Sequence, residues 1–201
     1  MAEQTTRSRT CGLKDFYIAI VTQNEGTAYV AGAPVKLARA IKAKIDEKWS
    51  SETIYSDDGT EEVISSYEGT EVELEINALA PQDRALLFGQ LYENGFLVKS
   101  SDDKAKEIAV GWRERKLNGK YEFKWLYVGK FAEGISEEIQ TREGKLAPTT
   151  KTIKGQFYER AIDNKYETSV DESNLLATHT NAKAAIDDWF AQVQEPTLGA
   201  A

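Results

Sequence analysis

Apolar and polar residues alternate along two runs that flank Asn118-Gly119. Upstream, Ile108, Val110 and Trp112 alternate with Glu107, Ala109, Gly111 and Arg113. Downstream, Tyr121, Phe123, Trp125 and Tyr127 alternate with Glu122, Lys124, Leu126 and Val128. A period of two sends successive side chains to opposite faces of a strand. Asn-Gly is the strongest short-range hairpin signal, because both residues tolerate the positive φ of a type I′ turn. The pattern predicts a long antiparallel hairpin with aromatics along one face. Leu126 and Val128 on the other face predict a strand buried on both sides.

The same alternation recurs elsewhere. Phe16, Ile18 and Ile20 mark a buried strand, closed by a turn at Asn24-Glu25-Gly26. From Pro34 to Trp49 the periods are mixed. Leu37, Ile41 and Ile45 are spaced for a helix, while Lys42–Glu47 suits a solvated strand, the favoured reading. Residues 50–69 are polar, with Thr53, Ile54 and Tyr55 before an Asp57-Asp58-Gly59 turn and Val63, Ile64 and Tyr67 after it. They read as a second hairpin with too few apolar residues to stand alone, so either a long surface loop or an arm that docks on a neighbouring subunit. Glu71–Ile76 alternates throughout, which puts Val72, Leu74 and Ile76 in a core and Glu71, Glu73 and Glu75 in water. Pro81 opens a short helix carrying Leu86, Leu87 and Leu91, and the region ends at Gly95. Residues 136–139, 149–158 and 166–170 are β-like, and Thr149–Ile153 is rich in β-branched residues. Ala182–Val193 predicts a helix with Ile186, Trp189, Phe190 and Val193 on one face, stopped by Pro196. Many strands with one or two short helices predict a mainly β fold, two packed antiparallel sheets forming a sandwich or partial barrel.

Composition narrows the function. The 201 residues are 41% hydrophobic, enough for one sizeable core, and the whole chain, 1–201, reads as a single domain. Residues 1–11 read as a flexible N-terminal arm and 195–201 as a tail. No apolar run approaches the ~20 residues that span a bilayer, so no membrane association is expected. The polar start, Met1–Thr10, argues against secretion by a signal peptide. Cys11 is the sole cysteine, which leaves no internal disulfide. The net charge of −8 disfavours ordinary DNA binding, although an acidic wall suits DNA that must slide past.

Chemistry-bearing patterns are sparse. His179 is the sole histidine and has no partner for a zinc site. Gly144-Lys145 lacks the rest of a P-loop, and Asp57-Asp58-Gly59 lacks the ligand spacing of a calcium loop. No metal, cofactor or catalytic constellation is expected, and the chain reads as a non-enzyme. The aromatic stripe of the central hairpin suits core packing better than a sugar platform. The row Glu71, Glu73, Glu75 is the strongest functional candidate, against an ordinary solvated face.

Taken in order along the chain, these pieces resemble the major tail tube proteins of phages with long non-contractile tails. The resemblance is carried by Gly12-Leu13-Lys14 leading into Phe16–Thr22, by Ile54–Gly59, by Tyr67-Glu68-Gly69 before the alternating Glu71–Ile76, by Tyr121–Lys130, by Thr141–Gly144 leading to Thr150–Gly155, and by Trp189-Phe190. It implies two packed β-sheets flanked by a helix, hexameric rings stacked into a hollow tube, and a barrel closed between subunits around the channel. It implies that the 50–69 hairpin, with Thr53, Ile54, Tyr55, Asp57, Asp58 and Gly59, is an arm reaching the neighbouring subunit or ring. It implies a location in the virion after assembly in the host cytoplasm. Implied partners are further copies of the chain, a tape measure protein inside the tube, tail terminator and tail-tip proteins at its ends, and double-stranded DNA in passage. Part of the Glu71, Glu73, Glu75 row would then line the channel. The alternative is a monomeric β-sandwich module for carbohydrate binding or adhesion, with Trp112 or Trp125 exposed.

Overall fold

The computed structural model describes residues 5–37, 39–57, 59–139 and 149–196. Its strands are β1 (Thr10–Glu25), β2 (Ala28–Ala31), β3 (Val35–Lys36), β4 (Ala40–Ser56), β5 (Gly59–Ile76), β6 (Leu91–Glu93), β7 (Phe96–Val98), β8 (Ile108–Lys116), β9 (Tyr121–Lys130), β10 (Ile135–Glu137), β11 (Lys151–Tyr158) and β12 (Glu167–Asp171). Helix α1 spans Pro81–Phe88 and α2 spans Thr180–Asp187. The fold is mainly β. Ten strands form one antiparallel sheet with the central order β2-β1-β8-β9-β11-β5-β4, while β6 and β7 pair apart from it. The two expected layers are two halves of this sheet, which curls over on itself. Leu13 of β1 and Ala43 and Ile45 of β4, from its opposite sides, pack on one core with Trp112, Leu74 and Ile153.

A second core lies on the other face of β1, β8 and β9. There Phe123, Trp125, Tyr127 and Val128 meet Trp189 from the C-terminal segment. The central strand is thus buried on both sides, as its pattern predicts. Trp112 and Trp125 fall on opposite faces, so the aromatics do not all share one. Gly111 faces Trp125 across the pair, and a Cβ there would sit 2.5 Å from its ring. The alternation breaks once. Between Ile108↔Gly129 and Val110↔Leu126 the register slips, so Tyr127 and Val128 together oppose Ala109. Both side chains enter the second core.

The Asn118-Gly119 turn differs from the expected type. Only Gly119 has positive φ, at 83°, and its N–H donates to Lys116 O while Lys116 N–H donates to Lys120 O. This is a type I turn closed by a left-handed glycine, which needs positive φ at a single position.

Two further expectations, the N-terminal arm and the C-terminal helix, are corrected, and the favoured strand reading of Lys42–Glu47 is met. Part of the expected 1–11 arm is tied to the body of the fold. β1 already starts at Thr10, and the backbone N–H of Thr6 donates to Asn174 Oδ1 at 2.8 Å while Arg9 O accepts from Leu117 N–H at 3.0 Å. Lys42–Glu47 is strand, so the helical spacing of Leu37, Ile41 and Ile45 is incidental. Helix α2 ends at Asp187, before Trp189. Its end carries Asp187 and Asp188 and no basic residue, the wrong charge for the negative pole of a helix. Residues 140–148, with the Thr141–Gly144 stretch and Gly144-Lys145, lie outside the described residues, as do Asp58, residues 1–4 and residues 197–201.

Candidate assembly surfaces

The longest strand pairing among the described residues is β4 with β5. It runs from Ala40↔Ile76 to Ser56↔Gly59. The first half is part of the barrel wall. Beyond Lys48↔Gly69 the two strands leave the sheet, and every described residue from 50 to 66 is exposed. The expected 50–69 hairpin is therefore the free end of a much longer one. Its turn falls where expected, with Asp57 at φ 47° and Gly59 already in β5. Thr53, Ile54, Tyr55, Asp57 and Gly59 all lie on this projecting part, and Asp58 lies outside the described residues.

Two devices set where the arm departs. Gly69 has φ 133°, and a Cβ on it would lie 2.9 Å from Phe157 O, so only glycine allows β5 to turn out against β11. Beside it, Tyr67 stacks on Tyr166 with centroids 4.1 Å apart, and Trp49 meets both rings edge-on. Tyr67 Oη lies 2.7 Å from Thr70 Oγ1. This cluster braces the arm root against the chain entering β12.

Register divides the arm into two faces, since residues paired across an antiparallel ladder share a face. One face carries Trp49/Tyr67, Ser51/Ser65, Thr53/Val63 and Tyr55/Thr60, and Glu61, unpaired where the register shifts, follows Val63 on the same alternation near the tip. The other carries Glu52/Ile64 and Ile54/Glu62.

The alternation in Glu71–Ile76 is met. Val72, Leu74 and Ile76 are fully buried, and Glu71, Glu73 and Glu75 share the solvated face. That row is not isolated. Lys42, Lys44 and Asp46 of β4 stand opposite Glu75, Glu73 and Glu71, and Lys154 of β11 stands opposite Glu73. The Lys48 ammonium holds the Glu71 carboxyl below its usual range. Lys154 lies 3.8 Å from Glu73, and Thr150 Oγ1 donates to Glu75 Oε1 at 2.7 Å. The face is a lattice of mixed sign.

One surface was not foreseen. β6 and β7 form a small hairpin whose Asn94-Gly95 turn has positive φ at both residues, 50° and 83°. The signal was there, the same dipeptide that marks the central hairpin. Its strands are only three residues long, too short for alternation to register. Leu91, Phe96 and Val98 share the outward face and are 57%, 73% and 52% exposed.

Other candidates resolve simply. Trp112 and Trp125 are 1% and 0% exposed, so neither offers a ring face to a sugar. His179 is exposed at the start of α2, and its Nδ1 accepts from Leu176 N–H at 3.3 Å. Cys11 is an exposed free thiol. Among the described residues no cluster of three His, Cys, Asp or Glu is placed to hold a metal ion, and no helix is long and apolar enough to cross a membrane. Comparison with protein-family models and with curated proteins returns no match.

Proposed function

We propose that this chain is a structural, non-enzymatic protein that assembles with copies of itself. Copies join into hexameric rings, and the rings stack into a hollow tube of the kind that major tail tube proteins build in phages with long non-contractile tails. The inner tube of a contractile tail is a close variant. Double-stranded DNA passes through the channel on its way into the host. A tape measure protein occupies the tube before ejection, terminator and tip proteins close its ends, and the assembled protein resides in the virion.

The observation that carries this reading is the arm. A two-stranded projection with every described residue from 50 to 66 exposed has little burial within one subunit to offset the entropy of ordering it. A second subunit supplies that burial. The outer edge of β4 supports the same conclusion. It pairs with no strand among the described residues along its 17-residue length, and an edge of that length is a template for pairing with another chain. The order of motifs along the sequence selects a tail tube among self-assembling β proteins.

Electron microscopy of the purified chain across a concentration series tests this. Rings or tubes of uniform diameter are the expected outcome. A protein that remains monomeric by light scattering at millimolar concentration favours the monomeric binding module instead.

A further inference from the structure

Among the described residues, two exposed apolar surfaces lie at opposite ends of the sheet. Thr70, Phe157, Gly129 and Ile108 stand abreast across β5, β11, β9 and β8. From that row β5 runs one way to the arm turn at residues 57–59 and the other way to Ile76. After Ile76 the chain forms α1, then β6 and β7, before it enters β8 at Ile108. Gln82 Nε2 donates to Tyr92 Oη at 3.2 Å and ties β6 to α1. The β6–β7 hairpin therefore belongs to the end away from the arm tip.

We infer that the face of the arm with Thr53, Tyr55 and Val63 is buried on the outward face of the β6–β7 hairpin, Leu91, Phe96 and Val98, of a second copy of this chain. The inference rests on the self-assembly reading and adds which surfaces mate. Neither surface belongs to a core of its own subunit. Tyr55 is 71% and Val63 56% exposed, matching the exposure of Phe96 and Leu91. Exposed apolar clusters of this kind mark interaction sites.

Charge decides which arm face is buried. From residue 49 to 83 the chain has no Lys or Arg, so the arm cannot neutralise its own acids. Burying the other face would desolvate both Glu52 and Glu62, whereas the Thr53–Val63 face carries only Glu61, at the register shift beside the tip. On the receiving hairpin, Glu93 beside the turn is the one charge on the outward face.

Geometry decides that the partner is another copy. Surfaces at opposite ends of one molecule meet between copies stacked the same way up, a heterologous contact that propagates without closing. Area decides that the contact works only in an assembly. With aromatic side chains of about 150–250 Å² each, either patch exposes roughly 300 Å². A stable pair of proteins buries about 800 Å² per partner. One contact is too small to hold a dimer, and a ring of them holds a stack.

Cross-linking tests the contact directly. In a Cys11→Ser background, Val63→Cys and Phe96→Cys place one thiol on each surface of the same chain. Oxidation of assembled protein is expected to give a ladder of covalent multimers, and either cysteine alone is expected to give none. As a second measurement, Phe96→Glu at this exposed position is expected to keep the parent's melting temperature and to abolish stacking. Tubes from the double-cysteine protein without a ladder, an internal cross-link within one chain, or ordinary tubes from Phe96→Glu each overturn the inference and leave self-assembly standing. A parent protein that forms no assembly at any concentration overturns both.

Discussion

Trp189 shows how much one side chain can hold in a thin layer. It is 2% exposed and packs on Phe123 with centroids 5.6 Å apart, and its carbonyl accepts from Trp125 Nε1 at 3.0 Å. Trp189→Ala keeps that carbonyl but empties the space over β9. Thermal or urea unfolding is expected to show a loss of roughly 3–5 kcal/mol. Two nearby carboxylates give opposite pH dependences. Asp163 accepts two hydrogen bonds from Arg160, at 2.6 and 2.8 Å, which hold its carboxyl far below the ordinary range against the effect of burial. A depressed folded value means that its contribution is complete above the unfolded value of about 3.9 and is lost as pH falls through the folded one. Glu167 is the reverse. Burial raises its carboxyl against the pull of Lys124, with Glu47, Glu122 and Glu114 adding to the rise. The folded state then binds the extra proton, so the charged carboxylate weakens the fold at neutral pH. Glu167→Gln is expected to raise the melting temperature at pH 7, and the gain should shrink as pH falls through the raised value. Asp163→Asn is expected to lower it at pH 7, and that loss should begin to shrink only as pH falls below about 3.9 toward the depressed folded value. Equal melting curves at pH 7 and pH 3 for either variant would contradict these assignments.

At the scale of elements, the arm is separable from the body that carries it. The outer part of β4 and β5 contributes nothing to either core. Replacing residues 53–65 by a short Gly-Ser linker is expected to leave unfolding of the body unchanged and to remove stacking. Normal tubes from that variant would sink the arm reading. Hydrogen exchange gives a second check: amides of residues 50–66 should exchange quickly in the free subunit and slowly in the assembly. The turn of this arm was legible in Asp57-Asp58-Gly59, but its length was not. Lys42–Glu47 and Thr60–Glu62 are too polar for alternation to report a buried face, and their pairing is fixed by a partner strand rather than by local pattern. The buried strands were legible because one or both faces meet a core. Phe16–Val21, Glu71–Ile76 and Tyr121–Val128 each carry their burial in their sequence. The β6–β7 hairpin was missed because its apolar residues face outward, where periodicity carries no information about the subunit's own core. The same fact makes it informative about partners.

For the whole molecule, the solvated face of β4, β5 and β11 bears on how DNA is handled. A bare row of Glu71, Glu73 and Glu75 would repel phosphate wherever it lined a channel. The lattice around it changes that expectation. Lys42, Lys44, Lys48 and Lys154 offset Asp46, Glu71, Glu73 and Glu75, four positive against four negative, so the face has no net charge. In a tube such a wall gives DNA little to bind and little to push against, because alternating charges a few ångströms apart cancel within a Debye length of about 8 Å. The discriminating change is neutralisation rather than reversal. Glu73→Lys would stand between Lys44 and Lys154, and like charges across a ladder destabilise a sheet. The triple change of Glu71, Glu73 and Glu75 to Gln preserves shape and leaves four lysines against Asp46, a surplus of three positive charges per subunit. Repeated around a hexameric ring, that surplus is expected to make assembled tubes hold double-stranded DNA at low salt and release it as salt rises, since the binding comes from counterion release. Nuclease treatment then locates the face. DNA protected within the tube places the row on the channel, and DNA that binds but is digested places it on the outer wall. If the neutralised tubes bind no more DNA than the parent at any salt concentration, the row faces neither the channel nor the outer surface and is instead covered by a neighbouring subunit.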